Sequence, residues 1–166
     1  MGNKSRPSDS PIFTIGHGNL PIGRFIELVD GAGVELVVDV RSIPYSRFAP
    51  QFNKGVLEKS LGTAHIGYRY LGDLLGGRPQ GRSKQDILLY DEAVVSELFQ
   101  EGLKRLLSLS QSGRCAVMCA EKDPNRCHRR HIIARAVVSR GGAVTHILDD
   151  GALVSEGSPD LFKSHR

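Results

Sequence analysis

The sequence predicts a three-layer α/β domain with a mainly parallel sheet and helices on both faces. Two observations support this fold. Short apolar, β-branched runs alternate with segments whose apolar residues have helical spacing, and the chain of 166 residues is about one domain long. We expect the domain to cover residues 12–155. Residues 1–11 are polar and rich in Pro and Ser, so we expect a disordered arm there and a flexible tail over 156–166.

The first forty residues predict a strand, a helix and a second strand. Residues 12–16 form a short apolar run that ends in glycine. In the segment that follows, Asn19 is a helix cap, Pro21 lies in the first turn, and apolar residues stand at 22, 25, 26 and 29. Residues 36–40 are β-branched and typical of a buried parallel strand, which completes a βαβ unit.

The rest of the chain is predicted to continue this alternation. Its predicted elements are a helix near 54–61, a strand near 68–71, a loop over 76–81, a helix over 91–110, a strand over 115–119, a helix over 126–139 and a last strand over 144–148. Such an order indicates a Rossmann-like or flavodoxin-like sheet. In these folds ligands bind outside the carboxyl ends of the strands.

Polar side chains capable of chemistry follow three of the predicted strands. His17 follows the first strand, Asp39 and Arg41 end the second, and Cys119 and Glu121 end the fourth. The carboxyl ends of parallel strands meet at one edge of a sheet. The sequence therefore predicts one shared site there.

Composition excludes several classes of protein. The net charge of +4 is a mild excess that does not by itself imply nucleic acid, although residues 126–140 contain five arginines and no acid. Three cysteines are an odd number and no disulfide framework, which favours a reducing compartment. No apolar run is long enough to span a membrane. We expect a cytoplasmic protein with no membrane partner.

Several motifs occur in an order known from one family. They are residues 14–17 (TIGH), 38–41 (VDVR) with Pro44, Ser46, Arg47 and Pro50, Leu71 and Gly72 with Gly76 and Gly77, and 119–121 (CAE) with 127–129 (CHR). Over about residues 12–150 the chain resembles the family catalogued as domain of unknown function 488. The resemblance implies an α/β domain and no established reaction.

The basic start of the helix predicted from Arg126 indicates an anion site. A helix N-terminus presents free N–H groups and partial positive charge, and Arg126, His128 and Arg129 would add to both. Arg41 and Arg47 would hold the anion from the opposite side. The alternative is a solvated basic face, with Arg129 paired to an acid.

Four residues are candidates for catalysis. Cys127, near the helix start and beside arginines, would have a lowered pKa, with Cys119 as the second choice. Glu121 and Asp39 would serve as a pair of carboxylates, and His17 would act in acid/base chemistry or contact phosphate. The alternatives are packed cysteines, a salt bridge that holds the arginines, and a histidine that caps a carbonyl group.

A metal site would use Cys119, Cys127, His128 and His131, but His131 is expected to face solvent. We therefore expect neither a metal nor a cofactor. The segment from Arg41 to Phe52 interleaves arginines with aromatic residues. Such a loop suits the stacking and clamping of a nucleotide, or else it packs through its own aromatics.

The sequence favours an enzyme, a hydrolase or transferase, that acts on an anionic substrate related to nucleotides or nucleic acids. Two other classes stay open: a non-catalytic nucleic-acid-binding module, and a metal-binding or redox protein that uses the cysteines. The sequence also leaves a homodimer open.

Overall fold

The computed structural model describes residues 10–77 and 90–162. Most of the predicted arm, residues 78–81 of the predicted loop and residues 163–166 of the predicted tail lie outside these ranges. The described helices are α1 (Ile22–Gly31), α2 (Lys54–Thr63), α3 (Gly72–Leu75), α4 (Tyr90–Val94), α5 (Glu97–Ser112) and α6 (Arg135–Ser139). The described strands are β1 (Ile12–Gly16), β2 (Leu36–Asp39), β3 (Gly67–Tyr70), β4 (Cys115–Cys119), β5 (Val144–Ile147) and β6 (Leu153–Ser155).

The strands form one sheet in the order β3-β2-β4-β1-β5-β6. All neighbouring pairs are parallel except β5 and β6, which are antiparallel. The predicted α/β fold with a mainly parallel sheet is therefore confirmed. The sequence did not predict β6. This strand is only three residues long and ends just before the expected start of the tail at residue 156.

Alternate residues of each central strand belong to two separate hydrophobic clusters. Phe13 of β1 packs with Phe25 of α1 and Leu57 of α2. Ile12, its neighbour in sequence, packs in the other cluster with Leu103 of α5. Side chains of successive strand residues point to opposite faces, so helices cover both faces of the sheet.

The strand order differs from the two common doubly wound orders. In both of those β1 pairs with β2, whereas here β4 lies between them. The connection that leaves β1 packs in one hydrophobic cluster, and the one that leaves β4 packs in the other. The carboxyl ends of β1 and β4 therefore flank the point at which the connections diverge, where such folds bind ligands.

The helix predicted over 126–139 is divided into three pieces. A 3-10 turn (Pro124–Arg126) comes first, and then the backbone is extended at Cys127, with φ −128° and ψ 142°. A π-helical segment (Arg129–Ala134) leads into α6. The extended residue turns the Cys127 thiol toward the end of β4, and single π turns at the edge of an α-helix are frequent at functional sites. The helix predicted over 91–110 is also divided, because the Ser96 side chain caps α5.

The segment from Glu156 to Phe162 contacts the domain. Glu156 forms an ion pair with Arg130 and lies within hydrogen-bond distance of His146 of β5. Leu161 is buried, and its carbonyl group accepts a hydrogen bond from Asn125. The boundary expected at residue 156 therefore separates residues that are in contact. Among the described residues no helix is both long and apolar enough to cross a membrane.

Candidate functional site

A buried ion pair lies at the end of β2. The Arg41 side chain donates two hydrogen bonds to the Asp39 carboxylate, at 2.9 and 2.8 Å, and a third to the Phe52 carbonyl at 2.7 Å. Tyr68 donates to the same carboxylate at 2.7 Å. Asp39 is inaccessible to solvent and Arg41 nearly so. These two residues, predicted for chemistry and for anion binding, thus satisfy each other.

His17 completes this arrangement at the end of β1. Its Nδ1 lies 2.7 Å from the Gly18 carbonyl, which can only accept, so Nδ1 carries the proton. Its Nε2 then accepts from Arg41 at 3.2 Å, and the ring stacks on Phe52 with centroids 4.4 Å apart. Burial lowers the pKa of His17 to about 4. The ring is therefore neutral near pH 7, and only 2% of the residue is exposed to solvent.

Arg129 fills the space between the ends of β1 and β4. Its exposed fraction is 0%, and its guanidinium donates to Thr14 Oγ1 at 3.3 Å, to Cys119 Sγ at 3.0 Å and to the carbonyl groups of Glu121 and Lys122. A Cβ atom at Gly16 would lie 1.9 Å from the Glu121 carbonyl, so only glycine fits beneath this loop. Arg129, predicted to bind an anion, has no surface for one.

The contacts of the two site cysteines favour Cys119, and not Cys127, as the ionised thiol. Burial alone would raise the pKa of Cys119, but a hydrogen bond from Cys127 and the charge of Arg129 lower it to about 7. Donation to Cys119, together with burial, raises the pKa of Cys127. The sequence ranked the two in the opposite order, because the extended backbone at Cys127 was not predicted. We call His17, Asp39, Arg41, Cys119 and Arg129 the strand-end cluster.

A second buried chain of hydrogen bonds was missed by sequence reasoning. Arg129 donates to Thr14, whose hydroxyl lies 2.6 Å from His146 Nδ1, and His146 Nε2 lies 2.6 Å from Glu156. Because Glu156 accepts, Nε2 carries the proton and Nδ1 accepts from Thr14. The only sign of this chain in the sequence was a histidine in the middle of a predicted strand.

The loop after β2 differs from the cluster in its exposure. Residues 42–48, which we call the aromatic loop, expose Ile43 to 66%, Tyr45 to 63% and Phe48 to 86%. Arg47 is exposed as well. Folded proteins usually limit large exposed apolar patches, and loops that carry them are often binding surfaces.

The aromatic loop is anchored on both sides. The Ser46 hydroxyl accepts from the backbone N–H groups of Phe48 and Ala49, and the Ser46 N–H donates to Asn53 at 2.8 Å. The Lys54 N–H donates to the Pro44 carbonyl at 3.0 Å. Phe52, predicted as part of the same loop, is fully buried and belongs to the core. The exposure of the rings is thus imposed by a folded loop.

The other predicted site residues lie outside the cluster. Glu121 and Arg126 are exposed on the segment between β4 and the π-helical turn. The Nε2 atom of His128 is buried without a hydrogen-bond partner among the described residues, and burial lowers the pKa of His128 to about 4. His131 is exposed, as the sequence led us to expect, and its Nε2 contacts the Asn125 carbonyl. Within residues 10–77 and 90–162 no group of three or more ligating side chains has the arrangement of a metal site.

The model of the family described as domain of unknown function DUF488 matches residues 21–136. The chain belongs to this family. The DUF488 match includes the aromatic loop, Glu121, Cys127 and Arg129, and it begins after His17. No curated protein and no solved structure matches the chain.

Proposed function

We propose that this DUF488 domain binds single-stranded nucleic acid through the aromatic loop. The observation that carries the proposal is an anchored loop that exposes Tyr45, Phe48 and Arg47 at the carboxyl ends of the strands. Aromatic rings stack on bases of any sequence, and arginine adds charge and a second flat surface. An open strand offers bases to such rings, whereas a duplex keeps its bases stacked on each other.

The charge of this region favours an anionic partner. Residues 40–57 contain Arg41, Arg47 and Lys54 and no acidic residue. Asp39 neutralises Arg41, so the charge available to a ligand comes from the other two. Lys54 lies 4.7 Å from the centre of the Tyr70 ring and forms no ion pair with another described residue. An apolar protein surface would contact only Ile43 and the rings and would leave the two cations unused. A nucleic acid would pair both of them with phosphate.

Binding of labelled single-stranded DNA and RNA of mixed sequence, followed by fluorescence anisotropy, tests this proposal. We expect saturable binding whose affinity falls as salt is raised, because cations released from the phosphates favour the complex. A duplex of the same sequence should bind more weakly. Absence of binding to either single strand at low salt would contradict the proposal.

A second candidate is an enzyme, a hydrolase or transferase, that acts on the same class of substrate. The supporting observation is Glu121, the one predicted catalytic group that is exposed at the strand ends in the described part of the chain. A carboxylate there can serve as a general base or as a nucleophile. We expect Glu121→Gln to abolish turnover of a bound oligonucleotide and to preserve binding. Cleavage that is unchanged in this variant would exclude the role of Glu121.

A further inference from the structure

Cys119 and Cys127 form a pair of interacting thiols that the aromatic loop does not use. Cys119 is the last residue of β4, and Cys127 is the extended residue before the π-helical turn. Arg129 contacts both sulfur atoms, Cys119 Sγ through its guanidinium at 3.0 Å and Cys127 Sγ through its backbone N–H at 3.4 Å, and the two thiols are hydrogen-bonded to each other. Both cysteines are free and buried. We propose that this pair is a redox site at which a hydroperoxide such as hydrogen peroxide forms an intramolecular disulfide.

The surroundings of the two sulfur atoms give them different roles. The Arg129 guanidinium donates to Cys119 Sγ at 3.0 Å, which stabilises a thiolate there. Cys127 Sγ receives no guanidinium donor: it accepts a weaker contact from the Arg129 backbone N–H at 3.4 Å, lies 3.7 Å from His128 Nδ1, and keeps its proton. A thiolate is the nucleophile in thiol chemistry. Cys119 is therefore the sulfur that attacks the oxidant, and Cys127 is the sulfur that closes the bond.

The reaction is balanced with one peroxide. The Cys119 thiolate attacks one oxygen of hydrogen peroxide, the O–O bond breaks, and hydroxide leaves, so that Cys119 becomes a sulfenic acid. The Cys127 sulfur then attacks the Cys119 sulfur and loses its proton. The S–O bond breaks, and the departing hydroxide takes that proton and leaves as water. The two cysteines lose two electrons, and the peroxide gains them.

The position of the pair selects a small oxidant. Cys119 and Cys127 are 2% and 5% exposed, and the chain between them lies on the surface, with Glu121, Lys122 and Arg126 exposed. A local opening of this short segment admits a peroxide more readily than a bulky disulfide such as oxidised glutathione. Cys115 lies in the same strand with its thiol buried, and burial raises its pKa to about 12. Cys115 is therefore an internal control.

Mass spectrometry of the folded, full-length protein after treatment with hydrogen peroxide tests the pair directly. Trypsin cleaves after Arg114, Lys122, Arg126 and Arg129, which places Cys119 and Cys127 on separate peptides. We expect these two peptides to become linked, with fragment ions that assign the bond to Cys119 and leave Cys115 reduced. Cys119 should react at least about tenfold faster than Cys115, because reactivity follows thiolate character. Cys115→Ser is the matched variant that should keep the reaction.

Two further variants separate the roles of the sulfur atoms. Cys127→Ser should stop at the sulfenic acid of Cys119, which dimedone labels, and Cys119→Ser should show neither the label nor the link. The wild-type experiment stands even if a variant fails to fold. A link through Cys115, disulfides between separate molecules, or oxidation that begins only after the protein is unfolded would overturn the proposal.

Discussion

Arg41 and Arg47 are six positions apart in the same strand-end segment, and their surroundings are opposite. Arg41 is buried, and its side chain donates hydrogen bonds to Asp39, to the Phe52 carbonyl and to His17. Arg47 is exposed on a loop that also exposes two aromatic rings. The strand-end cluster holds two of the four candidate catalytic residues and two of the arginines predicted to hold an anion, and it is closed to solvent. Side chains capable of chemistry are thus enclosed at the strand ends, where Arg41 fixes one end of the exposed loop through the Phe52 carbonyl.

The largest expected difference between the two regions is in stability. Arg41→Ala leaves the Asp39 carboxylate buried without its partner, and we expect it to lower the free energy of unfolding by about 3–5 kcal/mol. Arg47→Ala should change it by no more than about 0.5 kcal/mol, as is usual for exposed positions. Urea unfolding of both variants measures the difference. Equal losses would mean that the two arginines are not in different environments.

The second largest expected effect is a loss of stability of the strand-end cluster in acid. Burial holds the pKa of His17 at about 4 in the folded protein, against 6.5 in the unfolded chain. The stability contributed by the neutral ring is fully present above pH 6.5, and about 3 kcal/mol of it is lost as the pH falls to about 4. Urea unfolding near pH 7 and near pH 4.5 checks this. His17→Gln should remove part of this pH dependence, and the remainder should include His128, whose pKa burial also lowers to about 4. An unchanged pH dependence in His17→Gln would contradict the assignment to His17.

Replacement of Arg47 should change the affinity for single-stranded nucleic acid and leave the stability of the fold nearly unchanged. If Arg47 contacts a phosphate, Arg47→Ala should weaken the binding of single-stranded DNA by about 1 kcal/mol and reduce the salt slope by about one. Lys104→Ala removes an exposed charge from α5 and is the matched control. An equal loss in both variants would show that only the net charge matters.

The smallest expected effect belongs to the anchor of the loop. Ser46→Ala removes an acceptor for the N–H groups of Phe48 and Ala49, and we expect a stability loss of about 1 kcal/mol. Affinity should fall slightly as well, because the rings lose part of their support. Loss of affinity without any loss of stability would indicate that Ser46 contacts the ligand itself.

The sequence predicted the sheet because apolar runs and helical spacing are local properties. It also brought His17, Asp39 and Arg41 together, since parallel strands end at one edge. It did not predict that Arg129 is enclosed, because this depends on the path of the loop over Gly16 and on the extended backbone at Cys127. His146 was missed because its partners, Thr14 and Glu156, come from distant parts of the chain. Burial of this kind is set by tertiary contacts.

Replacement of both exposed rings tests most directly whether the aromatic loop is the binding surface. Stacking contributes about 1–3 kcal/mol for each base, so the double variant Tyr45→Ala, Phe48→Ala should bind single-stranded DNA at least about tenfold more weakly than the wild type. Its unfolding free energy should stay close to that of the wild type, and Tyr45→Phe, which retains the ring, should keep its affinity. A double variant that folds and binds as tightly as the wild type would contradict the assignment of binding to this loop.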